Sequence, residues 1–428
     1  MPRTITSYLN RSISPAPLAL LRVLFGCVMT ISCVRFIALG WVDEQYIRPT
    51  MHFPYLGFEW VTALGAQHMY ILFGVMTAAA IGIMLGAWYR VSAVVFFLCF
   101  TYIELIDKTY YLNHYYFVSL VAFLFCWVPA NRRFSLDVWR RPELRTDSIP
   151  QWTRDVFKFQ IGLVYLYAGI AKITSSWLID AMPLRIWLPA QSDLPVIGPL
   201  MTLWWLPWAF AWIGMIYDVS VPFLLSWKRT RLIAYLAVIV FHGVTGMMFQ
   251  IGVFPIVMIA MTLVFFADSS VVEQERTNTR RNSVVTIGLV VYFVVQVLVP
   301  LRYLLYPGEL LWTEEGYRFS WRVMLMEKAG TAAFVVEDRA TGRRGYVDNS
   351  TFLNAHQEKQ MSMQPDMIVQ YAHKLHDHYE ALGMKDPRVT AEVWVTLNGA
   401  PSALLIDPER DLSRVELGFH SYDWIRAR

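Results

Sequence analysis

Long apolar runs dominate the first two thirds of the chain. Nine of them approach the roughly 20 residues that a helix needs to cross a bilayer, and polar or charged residues separate them. They lie at residues 18–39, 69–88, 91–106, 115–127, 157–173, 208–227, 232–248, 251–267 and 284–305. The pattern predicts an α-helical membrane bundle of about nine transmembrane helices.

The pattern changes near residue 307 to frequent charges and alternating, strand-like segments. AAFVVEDRATGRRGYVDN predicts a hairpin, and AEVWVTLNG and SALLIDP predict two further strands. A helix is expected from Pro365 to about Leu382, where Gly383 closes it. We therefore predict two domains: a transmembrane helical bundle with the catalytic site at 1–306, and a small β-rich extracytoplasmic domain at 307–428.

The basic residues follow a topological pattern, because every second loop between the predicted spans is basic. These loops hold Arg90; Arg132, Arg133, Arg140, Arg141 and Arg145; Lys228, Arg229 and Arg231; and Arg276, Arg280 and Arg281. Since cytoplasmic loops carry the excess of lysine and arginine, we expect a cytoplasmic N-terminus and a periplasmic or equivalent extracytoplasmic C-terminus. The short loops favour a bacterial inner membrane.

Composition supports the membrane assignment and excludes other classes. Hydrophobic residues make up 56 % of the 428 residues and charged residues only 16 %, which is outside the range of soluble domains. The net charge of +4 is small and scattered, so a nucleic-acid partner is not expected. The four cysteines all lie in apolar runs and show neither metal-ligand spacing nor a disulfide framework.

Lys172 is the first candidate for chemistry, because it ends the apolar run LVYLYAGIAK. A lysine near a helix end commonly extends its amine to the membrane interface. Ala168, Gly169 and Ala171 precede it, however, and small residues favour close helix packing over lipid exposure. A lysine packed in this way loses its hydration, which disfavours the ammonium form and leaves a neutral amine as a base.

The same predicted face of the membrane carries other polar residues. Asn113 and His114 begin the fourth span, and His242 lies within the seventh. A histidine inside a bundle commonly hydrogen-bonds a neighbouring backbone or hydroxyl group, so the residues alone leave catalysis and structure both open.

A metal site is not expected elsewhere in the chain. His373, His376 and His378 have a spacing that could hold a metal on a helix. Their neighbours Lys374, Asp377 and Glu380 instead indicate a solvated helix face.

Five segments, taken in order, resemble the vitamin K-dependent gamma-carboxylase family. They are IDKTYYLNHYYFVSLVAFLF; YLYAGIAKITSSWL; FHGVTGMMFQIGVFP; FSWRVML with GRRGYVDNSTF; and EVWVTLN followed by LIDPERDL. They extend over almost the entire chain, which resembles a shortened, bacterial-type member with a horizontally transferred transmembrane domain.

The resemblance implies a membrane enzyme that oxidises a reduced naphthoquinone, reduced vitamin K or menaquinol, with O₂ to its epoxide. It implies that this oxidation drives removal of a γ-proton from a glutamate side chain and that CO₂ then adds, without a metal. The substrate would be a glutamate-containing exported peptide or protein. The oligomeric state stays open.

Roles for single residues follow from the same resemblance. Lys172 matches the family's catalytic lysine, and Asn113 and His114 match its Asn-His pair on the glutamate side. We assign His242 to cofactor binding and Tyr371 to substrate binding; for the helix around Tyr371, simple packing on the β-domain is the alternative. Animal members have two adjacent lysines where this chain has Ala171 and Lys172, so a single amine is expected.

Two other functions are compatible with the sequence. The chain could be a naphthoquinol epoxidase that does not carboxylate glutamate. It could also be a non-catalytic maturation or binding factor for exported peptides.

Overall fold

The computed structural model describes residues 8–9, 11–249, 251–267 and 283–428. The predicted basic loop with Arg276, Arg280 and Arg281 lies outside these residues. A two-residue strand near the start, β1 (Ser12–Ile13), pairs antiparallel with β2 (Ile149–Pro150).

All nine predicted segments are helical, although their bounds differ. The helices are α1 Ala16–Ala38, α2 Ala66–Leu85, α3 Tyr89–Ile106, α4 Asn113–Trp127, α5 Leu136–Arg140, α6 Trp152–Ala171, α7 Ser175–Leu178, α8 Leu184–Trp187, α9 Leu206–Ser226, α10 Arg231–Met248, α11 Phe254–Thr262 and α12 Ser283–Leu298. The short helices α5, α7 and α8 lie in connections. Helices α11 and α12 continue into the 3₁₀ segments Leu263–Phe266 and Val299–Leu305.

Among the described residues, six helices are long and apolar enough to cross a membrane: α1, α2, α3, α9, α10 and the helical segment that ends at Leu305. Helices α4 and α11 are shorter, with 15 and 9 residues. Helix α6 has 20 residues but carries Arg154, Asp155 and Lys158 in its first two turns. The described residues thus form a helical bundle with about six candidate membrane spans, judged by length and composition, and nine crossings and their orientation stay predictions.

Eight helices of the bundle pack in a closed ring. Each contacts its neighbour in the order α1, α2, α3, α4, α6, α9, α10, α11, and α11 returns to α1. Helices α6 and α9 approach closely because Gly169 faces Val219. A Cβ atom at position 169 would lie 2.6 Å from the Cγ2 atom and 2.7 Å from the backbone nitrogen of Val219. This is the small-residue packing expected for α6.

The C-terminal part contains a four-stranded antiparallel sheet in the order β4-β3-β5-β6. Its strands are β3 (Lys328–Glu337), β4 (Arg344–Tyr346), β5 (Arg388–Leu397) and β6 (Ala403–Leu404), and its helices are α13 (Leu310–Thr313), α14 (Ala355–Met361) and α15 (Pro365–Ala381). Every second residue of β5 is buried against the core, as a half-buried strand requires. The predicted hairpin, helix and two later strands are all confirmed.

The core of this domain also contains residues from the bundle. Met51 and Phe53, which lie between α1 and α2, pack in the same cluster as the sheet and α15. The Gln357 side-chain nitrogen donates 2.8 Å hydrogen bonds to the Met51 carbonyl and to the Asp107 carboxylate after α3. The predicted boundary at residues 306/307 stays a prediction, since the cluster draws on both sides of it.

A network of charged side chains also connects the bundle to the C-terminal domain. Asp366 on α15 accepts from Lys108 and from Arg318, each over 2.7 Å. Burial alone would raise the pKa of Asp366, but the charges of Arg318 and Lys108 outweigh it and hold the pKa well below the usual aspartate value. The carboxylate is therefore ionised, and it joins the loop after α3 to the domain.

We predict that Asp366→Asn lowers the thermal unfolding temperature, because it leaves the buried Lys108 ammonium and the part-buried Arg318 guanidinium without their carboxylate. Losing one partner of a fully buried pair costs about 3–5 kcal/mol, and we expect a smaller loss here because the Asp366 side chain is 25 % exposed. Because the folded-state pKa is depressed, this stabilisation is present above about pH 4, the ordinary aspartate range, and is lost as pH falls through the folded pKa. Tryptophan fluorescence during heating at pH 7 and in acid measures both effects. Asp377→Asn, on an exposed position of the same helix, is the control, and equal unfolding temperatures for Asp366→Asn and wild type would contradict the prediction.

Candidate functional site

A cavity of about 400 Å³ lies between the bundle and the C-terminal domain. Helices α4, α6, α9 and α10 form its walls, and residues between 314 and 326 close it on the domain side. Its surface is mainly apolar and includes Trp187, Phe210, Phe249 and Phe254. Such a cavity, with a few polar groups at fixed places, is typical of a small-molecule site.

Lys172 follows the last residue of α6 and lines this cavity. Its amine lies 2.7 Å from the Asp218 carboxylate on α9 and 3.3 Å from the Ala168 carbonyl, to which it donates. The Trp177 ring is 5.4 Å away. Only 6 % of Lys172 and 4 % of Asp218 is exposed.

The buried position of Lys172 agrees with the sequence analysis, which did not anticipate a carboxylate beside the amine. A carboxylate at 2.7 Å stabilises an ammonium, so burial alone does not determine where the proton resides. Asp218 was missed. The signal was present, because an aspartate within an apolar span (MIYDVSVPF) is itself a functional-site hypothesis.

Asn113 and His114 line the cavity from the first turn of α4. The Tyr111 hydroxyl donates to the Asn113 side-chain oxygen over 2.9 Å, and the Asn113 side-chain nitrogen donates to the Arg322 carbonyl over 3.2 Å. The His114 ring is buried and stacks on Phe254, with 5.2 Å between ring centroids. Asn113 is thus bonded to the domain-side wall, whereas His114 lies against an aromatic surface.

His242 lines the cavity from α10 and is 3 % exposed. Its Nε2 atom lies 2.8 Å from the Tyr165 hydroxyl on α6. Its Nδ1 atom is buried and has no hydrogen-bond partner among the residues described. A buried ring nitrogen without a partner is costly unless a ligand meets it. A hydrogen bond to a neighbouring hydroxyl group, the structural role expected for a histidine inside a bundle, accounts for the position of Nε2 but not for that of Nδ1.

Cationic side chains line the domain side of the cavity. Lys108 and Arg318 lie there with Arg322, whose guanidinium covers the Tyr303 ring at 4.2 Å. The Arg322 Nε atom is buried, and within the described part of the chain it has no partner. The expectation of a single amine concerned positions 171 and 172 and stays a prediction there; the fold also brings the amine of Lys108 to the same cavity as Lys172.

Tyr371 lies elsewhere. It is fully buried in the domain core, where its ring contacts Phe334 edge-on at 4.8 Å, and it is not among the cavity-lining residues. This position agrees with the alternative interpretation, in which the helix around Tyr371 simply packs on the β-domain. On that helix His376 contacts Asp377 and Asp386, and no group of three or more potential metal ligands occurs among the residues that the structure describes.

Two family models cover most of the chain. Residues 10–269 match the HTTM domain, and residues 281–428 match the lumenal domain of vitamin K-dependent gamma-carboxylase. The two matches meet between residues 269 and 281, so the second one includes α12. No solved structure matches the chain.

We predict that Lys172→Met and Asp218→Leu each destabilise the protein by about 3–5 kcal/mol, because each leaves one buried charge unpaired. The double variant should be much closer to wild type, since two apolar side chains of similar volume replace the pair. Chemical denaturation in detergent measures the free energy of unfolding of the wild type, the two single variants and the double variant. Additive losses in the double variant would show that the two side chains do not interact.

Proposed function

Because the chain belongs to the vitamin K-dependent gamma-carboxylase family, we propose that it is a membrane enzyme that couples O₂-dependent epoxidation of a reduced naphthoquinone to γ-proton removal from a glutamate and addition of CO₂. The observation that carries the proposal is the buried Lys172–Asp218 pair, which faces an apolar cavity with cations on its other side. The family itself implies vitamin K dependence and glutamate-containing protein substrates.

The cavity residues fit a reduced naphthoquinone. A flat aromatic ring system with two hydroxyl groups requires apolar walls and a few hydrogen-bonding groups, and the cavity offers both. Aromatic side chains form much of the wall, while Lys172, Asp218 and the unpartnered Nδ1 atom of His242 supply polar contacts. When bound, the quinol supplies, with O₂, the oxidation that produces the strong base needed at glutamate. His242 and the Lys172–Asp218 pair are the residues that would hold it.

Lys172 and Asp218 together act as the proton acceptor in this proposal. The pair can exist as ammonium and carboxylate or as amine and carboxylic acid, and in both forms it has a site for one more proton. Uptake from a hydroxyl group leaves ammonium and carboxylic acid, with a net charge of +1. Asp218 therefore positions the amine and shares its proton, in place of the isolated neutral amine expected from the sequence.

The glutamate is proposed to enter from the domain side. Its carboxylate would find the Nε atom of Arg322 and the nearby charges of Lys108 and Arg318, since a guanidinium binds a carboxylate well. Asn113, which is bonded to the Arg322 carbonyl, fixes the wall that carries this arginine. His114 beside it would exchange a proton with the substrate. The apolar walls exclude water, which would otherwise protonate the carbanion before CO₂ arrives.

We predict that the purified protein, given reduced vitamin K or menaquinol and O₂ with a glutamate-containing peptide, forms the quinone epoxide. Lys172→Ala should lower the rate by about 100-fold or more, the usual contribution of a general base, and Asp218→Asn should lower it and change its pH profile. Liquid chromatography of the quinone products provides the measurement.

Lys374→Ala is the matched control, because this lysine is exposed on α15, away from the cavity. No epoxide from the wild type, or undiminished epoxide from Lys172→Ala, would refute the assignment.

We also predict that the peptide gains one CO₂ at glutamate, and that Arg322→Gln raises the KM for the peptide about tenfold or more, the loss expected when a charged hydrogen bond is removed. Mass spectrometry of the peptide after incubation with ¹³C-labelled CO₂ gives the measurement, with Arg343→Gln on the exposed hairpin as control. Epoxide without a peptide adduct would support the naphthoquinol epoxidase instead. Neither product, together with retained peptide binding, would support the non-catalytic binding factor.

A further inference from the structure

A second cavity of about 370 Å³ lies next to the first on the domain side. The side chains of Lys108, Glu314 and Arg318 line both cavities and so form a wall between them. The roles proposed above do not use the second cavity. Its rim is at the surface, because Phe419, which lines it, is 83 % exposed.

Charges in the second cavity are balanced. Three cations and three carboxylates line it: Lys108, Arg302, Arg318, Glu314, Glu315 and Asp366. Asp366 is occupied by Lys108 and Arg318, and Glu314 is occupied by Lys328 at 2.8 Å. A small anion or a small cation therefore finds no excess of opposite charge, which disfavours an isolated ion as the ligand.

The remaining features fit an extended polypeptide. Tyr55, Phe58 and Phe319 provide aromatic surfaces for apolar side chains. Gln370 donates to the Pro54 carbonyl over 3.0 Å, but its Oε1 atom is buried and without a partner in the described structure. A backbone N–H of a bound peptide is the donor that such an oxygen lacks.

We propose that the second cavity binds the stretch of polypeptide next to the glutamate whose side chain enters the first cavity. The inference rests on the proposed function for the identity of that glutamate. The shared wall explains the arrangement, because one residue can place its side chain beside Lys108 and Arg318 while its neighbours along the chain occupy the aromatic surfaces. The site thus selects peptides over free glutamate derivatives.

The test compares two acceptors on the full-length protein in detergent. One is a fluorescein-labelled nonapeptide with a single central glutamate between leucine and alanine residues, and the other is N-acetylglutamate methylamide. Fluorescence anisotropy gives the peptide Kd without any turnover. We expect Phe419→Ala to raise this Kd about tenfold, since aromatic side chains dominate peptide interfaces, and to leave epoxide formation with the small acceptor unchanged.

Tyr346→Ala is the matched control, because Tyr346 is also 83 % exposed and lies on the edge strand β4 outside both cavities. Unchanged peptide binding in Phe419→Ala would overturn the proposal. If peptide binding is retained and this variant loses a phospholipid that co-purifies with the wild type, the second cavity is a lipid site instead, which would also overturn the proposal. If the wild type forms no epoxide but Phe419→Ala still weakens peptide binding, the proposed chemistry fails and the peptide site stands.

Discussion

The side chains of Lys172 and Asp218 meet 2.7 Å apart inside an apolar bundle, and each supplies the polar partner that the other needs there. Either group charged and without the other would raise the free energy of the folded protein. The two helices that carry them must therefore stay in contact. Gly169 makes this contact possible, because its missing side chain lets α6 reach Val219 and brings Asp218 to the amine. The close packing of α6 against α9 therefore also determines which polar groups line the cavity.

The same constraint gives the cavity two different ends. On the bundle side the charges are paired, and aromatic and aliphatic side chains surround them. On the domain side Lys108, Glu314, Arg318 and Arg322 line the space. Lys108 and Arg318 share the carboxylate of Asp366, which is not among the lining residues of this cavity. The cavity thus offers a pair of polar groups in apolar surroundings at one end and several charged side chains at the other.

Much of the fold was predictable, because apolar runs and alternating strands are local patterns. The helices, the hairpin and helix α15 could be read from the residues within each segment. Asn113, His114, Lys172 and His242 could be named because a polar residue at an apolar segment is conspicuous. Asp218 was conspicuous in the same way, but its pairing with Lys172 could not be found from residue types. Tyr165 and Arg322 carry no such signal, and they meet His242 and Asn113 only through the packing of segments that are distant in sequence.

The packing of Tyr371 also depends on a residue that is distant in sequence, and its assignment to substrate binding stays a prediction. Its helix has an amphipathic pattern, and such a pattern shows which face is buried without showing against what. The ring packs on Phe334 of the sheet, and the polar residues of the following turn face outward instead.

Met51 and Phe53 pack with the sheet and α15, although they precede them by most of the chain. During synthesis these two side chains leave the ribosome long before the strands that cover them. The loop between α1 and α2 therefore stays exposed until the C-terminal domain has been made. The C-terminal domain excised as a separate polypeptide would lack Met51 and Phe53 and so would have a gap in its interior. The soluble-looking region is therefore expected to mature last, and only on a bundle already inserted.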